Sequence, residues 1–231
     1  MQISVPRRFQ GIEGMAQGGH LAGLVAERLP GPVTVSFRAP CPLETTLEVV
    51  MADGAARVSH DTTLILEAAP DPSPFGHPPP AVTWEEAEAA RRWAESQTPG
   101  QVISTCFSCG TGSDSLRVHA GRVTGTDLYA SPLVFPEWTA PQGSVSQRFL
   151  WAPIDCAAGW RVSVGDDPAR PAVTGRLRVQ IHQEVVPGEP LVVVAAADPS
   201  WQGRKRRARS AIRRTDGSLV ASSESLWIAL G

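Results

Sequence analysis

The chain has 231 residues, 42% of them hydrophobic, and a formal net charge of −2 from 21 basic and 23 acidic side chains. That length supports one large domain or two small ones, and that charge provides no overall field for nucleic acid or an anionic membrane. The opening MQISVPRR has no apolar run for a signal peptide and no other run reaches membrane-spanning length; the four cysteines then read as reduced thiols of a cytoplasmic protein.

In chain order, Ile3 to Phe9 alternates as a strand does. Ala16 to Leu29 reads as a helix, apolar nearly all round until Glu27 and Arg28, so protein must cover it on almost every side. The Gly18-Gly19 pair sits at its mouth, where the first amides lack partners and the missing side chains allow close approach. Either packed chain or an acyl carbonyl fits there. Leu29-Pro30-Gly31-Pro32 ends the helix. Strands are expected over Val33 to Ala39 and Thr45 to Met51, a turn at Ala52-Asp53-Gly54, then strands at Arg57 to Ser59 and Thr62 to Ala68.

Residues 70–80 are proline-dense, extended chain. Thr83 to Ser96 is a helix with a capping box between Thr83 and Glu86. The second half begins near Gln101. Leu116 to Val123 and Leu128 to Phe135 read as a hairpin, and Val145 to Trp160 as a largely apolar helix in which Pro153 either kinks the helix or lies in its first turn. Strands follow at Ala172 to Val186, Leu191 to Ala197, and in a hairpin from Lys205 to Ile228 that turns at Thr215-Asp216-Gly217.

The two halves share an order of strand, buried helix and antiparallel meander. Val33-Thr34 before Phe37-Arg38 matches Val173-Thr174 before Leu177-Arg178, and Pro42-Leu43 matches Pro190-Leu191 as a strand opening. An internal duplication is the simplest reading. It divides the chain into a unit over 1–69, a proline-rich linker with a helix over 70–100, and a unit over 101–231. Two such units side by side can merge into one continuous sheet around two central helices.

The stretches FQGIEGMAQGGHLAGLVA, WAPIDCAAGW and GRKRRARSAIRRTDGSLVASSESLWI resemble bacterial thioesterase-like proteins of the acyl-CoA thioesterase superfamily. The resemblance implies an α+β fold, the tandem or double hotdog, with antiparallel sheets each wrapped around a central helix. It implies hydrolysis of an acyl thioester carried by coenzyme A or an acyl-carrier protein, with no cofactor or metal. Such proteins commonly assemble further, so the resemblance also raises a homodimer of double units. In that family a helix mouth offers amides to the thioester carbonyl, and a carboxylate from the facing helix activates water or attacks.

Carried onto this sequence, Gly18, Gly19 and His20 match the helix-mouth motif, with Gln17 where many relatives have histidine. The Gly19 and His20 amides are expected to hold the oxyanion, and Asp155 to act on water. Asp155 follows Gly143 by twelve positions, against about eight in the common motif, a difference of roughly one helical turn. Gln17, Gly18 and Trp151 are expected to contact substrate, and Arg204, Lys205 and Arg207 to meet the coenzyme's phosphates, although a solvated strand face reads equally well. Glu27, eight positions after Gly19, reads better as an exposed charge paired with an arginine. A binding protein without turnover and an enoyl-CoA hydratase or dehydratase are the rival readings; the paired Asp and His of the latter are not found.

Cys106-Phe-Ser-Cys109-Gly110 is a CxxC turn. Zinc needs about four ligands, and no second pair follows at finger spacing; His119 and Cys156 could join, but no spacing rule points to them. A structural turn is expected. Trp151, Trp160, Trp201 and Trp227 are expected in the core, with those near Asp155 able to line an acyl tunnel.

Overall fold

A computed structural model describes residues 1–97, 103–164, 171–198 and 203–230. The first half contains β1 (Gln2–Ile3), α1 (Gly18–Ala26), β2 (Val33–Phe37), β3 (Leu47–Ala52), β4 (Ala55–His60) and β5 (Thr63–Pro70). α2 (Trp84–Gln97) follows the proline-dense stretch. The second half contains β6 (Gly121–Arg122), β7 (Tyr129–Leu133), α3 (Gln147–Gly159), β8 (Ala172–Ile181), β9 (Leu191–Ala197), β10 (Lys205–Arg214) and β11 (Leu219–Ala229).

The eleven strands of the described residues join one sheet in the order β1-β3-β4-β5-β2-β8-β11-β10-β9-β7-β6. The halves meet where β2 pairs antiparallel with β8, with Val35 opposite Leu177. Outward from this seam the order is β2, β5, β4, β3 on one side and β8, β11, β10, β9 on the other. Each half therefore repeats one topology behind its own helix, and the expected tandem hotdog is present.

α1 is buried along Gly19–Ala26, as its all-round apolar sequence requires. Its partner is α3, which is buried from Phe149 to Ala158. Two glycines make the approach close. A methyl group on Gly19 would stand 2.5 Å from the Trp151 carbonyl oxygen, and one on Gly23 would stand 2.5 Å from that of Arg148. Ascending α1 thus meets descending α3, so the helices run antiparallel. Pro153 lies in the second turn of α3, beyond the position where proline is harmless.

Over the second half the far face of the sheet is covered as well, whereas β3 leaves Val50 and Met51 exposed. On β9, Leu191, Val193 and Ala195 join the central core, while Val192 and Val194 pack with Ala87 and Ala90 of α2. A strand covered on both faces reads as a continuous apolar run, as β9 does. The proline-dense chain before α2 crosses that outer face as a strap. Arg178 reaches the carbonyls of Asp71, Ser73 and Pro74 and lies over the Phe75 ring. Arg209 donates to the His77 carbonyl and Arg213 to that of Pro79.

Four sequence expectations are corrected. The strand over residues 3–9 shrinks to Gln2–Ile3, because Pro6 has no amide for a ladder and Arg7–Phe9 coils into a 3-10 turn. Of the strand over 116–123, only Gly121–Arg122 pairs with β7; Leu116 and Val118 donate instead to Phe107 and Ser108 in a loop. β8 stops at Ile181, where the His182 and Gln183 amides both turn to the Val220 carbonyl. Pro42-Leu43 does not open a strand, since β3 begins at Leu47.

Candidate active site

Gln17 is the N-cap of α1, and its side-chain oxygen accepts the His20 N–H at 2.6 Å. That bond fixes the amide's orientation, so Nε2 points across the interface and donates to Asp155 Oδ2 at 3.0 Å. The Gly19 N–H donates to the same oxygen at 3.0 Å. The carboxylate from α3 therefore caps the mouth of α1, where the helix dipole and two donors favour negative charge.

The third donor comes from the sheet. Thr174 Oγ1 donates to Asp155 Oδ1 at 2.7 Å. Simple alternation would turn this side chain away, because Leu177 faces the core and Arg176 is exposed. The register between β8 and β11 slips here: Leu226 pairs with Arg176 but Trp227 pairs with Thr174, which leaves Gly175 as the extra residue. The bulge reverses the facing of the strand's first residues and aims Thr174 inward.

Asp155 is 4% exposed. Burial pushes its pKa up to about 6, against the opposing pull of the hydrogen bonds from Thr174, Gly19 and Gln17. Its carboxylate lines a cavity of about 430 Å³. Ile12, Met15, Leu21, Phe37, Val173 and Trp227 make much of the wall apolar. Gln17, Gly18, Thr174 and four cysteines, Cys41, Cys106, Cys109 and Cys156, bring polar or polarisable atoms to it.

The two glycines at the helix mouth differ. Gly19 is packed against α3 and its amide is spent on Asp155. Gly18 faces the cavity: a methyl group there would make only ordinary contacts, 3.5 Å from Asp155 Oδ2 and 3.7 Å from Phe37. Its N–H has no hydrogen-bond partner among the described residues.

The structure thus brings Asp155, Gln17, Gly18 and Gly19 together and separates other candidates from them. The His20 amide is occupied by Gln17, and the His20 ring is stacked on Phe9 at 4.0 Å and on Phe149 at 5.5 Å. Burial, with the charges of Arg148 and Arg8, pushes its pKa down to about 3, so it is a neutral ring of the core. Trp151 is buried and meets Gly19 through its backbone, outside the cavity wall. Trp227 lines the cavity, Trp160 is buried, and Trp201 lies outside the described residues.

Arg204, Lys205 and Arg207 are also absent from the wall. Arg206, between them, turns inward to the Val162 carbonyl, and Ala208 packs beside Val162. By strand alternation Lys205 and Arg207 stand on the opposite face. Arg204 donates to the Ala229 carbonyl. Sequence reasoning missed Thr174 as a site residue, although the Val173-Thr174 pair stood out in the duplication.

A second helix mouth lies at the start of α3. There Ser146 Oγ is 3.4 Å from Glu27 Oε2, so Glu27 stands to α3 roughly as Asp155 stands to α1. Glu27 is instead part-exposed and ion-paired with Arg28 and Arg148 at 3.4 and 3.7 Å. The two related mouths have different chemistry: one is a buried carboxylate on a largely apolar cavity of about 430 Å³, the other a part-exposed ion pair on a polar cavity of about 590 Å³.

No family model matches the chain, and no curated protein sequence matches it. Solved structures do. A candidate thioesterase II from Thermobifida fusca YX is 15% identical with a TM-score of 0.64, covering 100% of this chain and 92% of that one. A conserved protein of unknown function with the hotdog fold, from Alicyclobacillus acidocaldarius, is 14% identical with a TM-score of 0.62 over 100% and 92%. The tesB protein of Mycobacterium avium subsp. paratuberculosis is 17% identical with a TM-score of 0.58 over 94% and 88%. These likenesses establish the fold, a tandem hotdog, over the whole chain. Among the described residues no helix is long and apolar enough to cross a membrane.

Proposed function

We propose that the chain hydrolyses acyl thioesters, with Asp155 as the base that activates water. The observation that carries this reading is a buried carboxylate held by Gln17, Gly19 and Thr174 on the wall of a largely apolar cavity. A carboxylate offers about four lone-pair sites. Two donors fill Oδ2 and one occupies Oδ1, so the remaining site on Oδ1 is open to a water beside Thr174.

In the proposed reaction the acyl chain lies along the apolar wall and the thioester carbonyl oxygen accepts the Gly18 N–H. Asp155 takes a proton from water as the water oxygen attacks the carbonyl carbon. The Gly18 amide, fixed in advance at the positive end of α1, stabilises the oxygen as it gains charge. The carbon–sulfur bond then breaks, and the thiol leaves with a proton returned from Asp155. Coenzyme A or a carrier protein supplies the thiol in this reading; Arg38, the cation on the described cavity wall, is exposed and already paired with Glu67, so it does not select between them.

One observation favours the rival, an acyl-thioester binder without turnover. The Gly19 and His20 amides are already engaged, which leaves one free amide for the oxyanion where the family expectation gave two. A panel of acyl-CoA esters of increasing length, followed by thiol release, separates the readings. Hydrolysis is expected to fall by roughly a hundredfold or more in Asp155→Asn and by roughly tenfold in Thr174→Val. Binding without thiol release by the wild-type chain, or release unaltered by Asp155→Asn, overturns the hydrolase reading.

A further inference from the structure

The cavity wall carries a feature that hydrolysis by Asp155 does not use. Cys106 and Cys109, from the loop after α2, meet Cys156, from the middle of α3. The three sulfurs lie within 4.8 Å of one another, and all three side chains are buried. Cys106 and Cys156 Sγ are 3.8 Å apart. Four thiolate or other ligands placed tetrahedrally at a Zn–S distance of about 2.3 Å put neighbouring sulfurs roughly 3.8 Å apart.

The loop is shaped to present its sulfurs. The Cys109 N–H donates to Cys106 Sγ at 3.4 Å, and the Gly110 N–H donates to the Cys106 carbonyl at 2.8 Å. A methyl group on Gly110 would stand 2.3 Å from that carbonyl oxygen, so only glycine closes the turn. His119 Nε2 lies 3.1 Å from the Cys109 carbonyl, and its other nitrogen is 2.9 Å from Glu95. On the α3 side, Gln17 Nε2 is 3.6 Å from Cys156 Sγ. Both contacts bring an N–H to sulfur, and metal binding would displace the thiol protons.

We propose that Cys106, Cys109 and Cys156 form a zinc site with three protein ligands, whose fourth position opens to the cavity. An all-sulfur donor set selects a soft or borderline cation such as Zn²⁺ over Mg²⁺ or Ca²⁺. Three thiols also fit a cation better than a disulfide, since joining any two leaves the third buried and alone. Three protein ligands with one open position is the arrangement of exchangeable rather than purely structural zinc. A small thiol that enters the cavity can complete it, since thiolate sulfur is a good ligand for this class of cation. Asp155 is not needed as a ligand, its oxygens being engaged by Thr174, Gln17 and Gly19. The inference therefore stands whether or not the chain turns over thioesters.

Metal content decides it. Reduced protein, stripped with a chelator and reloaded with Zn²⁺, is expected to retain one ion per chain. Co²⁺ in its place should give thiolate-to-cobalt charge-transfer bands and the visible bands of a tetrahedral ion, and 2-mercaptoethanol should shift the visible bands by taking the open position. Cys156→Ser should weaken metal affinity by roughly tenfold or more. Cys109→His, which keeps a ligand, should bind with weaker charge transfer, and Cys41→Ser should bind as the wild type does. Absence of metal uptake by the reduced wild-type chain, a Co²⁺ spectrum without sulfur charge transfer, or uptake unaltered by Cys156→Ser overturns the proposal. So does a Cys106–Cys156 disulfide in freshly purified protein, seen as the loss of two hydrogens from the intact mass.

Discussion

Replacing Gly19, Gly23 and Gly18 with alanine, one at a time, separates packing from chemistry at the helix interface. A methyl group at position 19 meets the Trp151 carbonyl oxygen at 2.5 Å, Asp155 Cβ at 2.7 Å and the Trp151 carbonyl carbon at 2.9 Å. At position 23 it meets Arg148 backbone atoms at 2.5, 2.7 and 3.0 Å. Backbone cannot swing aside as a side-chain tip can, so the helices must separate by roughly 1 Å to restore ordinary contact. Overpacking of this kind costs about 1–3 kcal/mol, which for a chain of this size lowers Tm by roughly 2–12 °C. Gly18→Ala meets nothing closer than 3.5 Å, so its stability should hold or rise by up to about 1 kcal/mol from the better helix former. Its methyl group nevertheless stands beside Asp155 in the cavity, and thioester hydrolysis should fall. Thermal unfolding by circular dichroism at one protein concentration is the assay. Equal Tm values for Gly18→Ala and Gly19→Ala, or an unshifted Tm for both Gly19→Ala and Gly23→Ala, would refute the argument from close approach.

Two further perturbations test other parts of the molecule. His20 is neutral in the fold with a pKa near 3, against 6.5 in the open chain, so its contribution to stability is complete above pH 6.5 and is lost as pH falls from 6.5 toward 3. Between pH 7 and pH 5 that loss is about 2 kcal/mol, and His20→Phe, which keeps a ring between Phe9 and Phe149, should escape it in urea denaturation; a pH-independent difference between the two proteins contradicts the assignment. Arg178→Met removes the guanidinium that grips the strap through Asp71, Ser73, Pro74 and Phe75, and limited proteolysis should then cut residues 71–80 faster than in the wild type, whereas an unaltered cleavage rate means the strap is held elsewhere.

Much of the architecture was legible because it follows from local chemistry. A run without a polar face forces α1 inside, and Asp53 and Gly54, both at positive φ, make the turn that their chemistry announces. The repeated order of elements carried the duplication. Asp155 and the mouth of α1 were legible through resemblance, since nothing in the spacing alone brings residues 17 and 155 together. What could not be read depends on register and approach. Thr174 reaches Asp155 only because of a bulge at Gly175, and strand alternation read from sequence puts it on the wrong face. Gly18 and Gly19 look alike as letters, yet only one abuts α3. The third thiol of the cysteine cluster comes from α3, 47 positions after the CxxC turn by residue number, and no metal-site spacing spans that distance. The basic run on β10 looked like an anion surface, whereas its arginines alternate between the strap outside and the Val162 carbonyl inside.

The unequal mouths of α1 and α3 bear on how such a molecule can diverge. When two identical subunits build a crevice between them, every substitution is made twice, and a change that suits one crevice is imposed on the other. Here a single peptide carries both mouths, so Glu27 can pair with arginines at one while Asp155 stays enclosed at the other. If Asp155 is the base proposed above, active-site titration should accordingly count one centre for each chain, half the number that the symmetry of the backbone suggests.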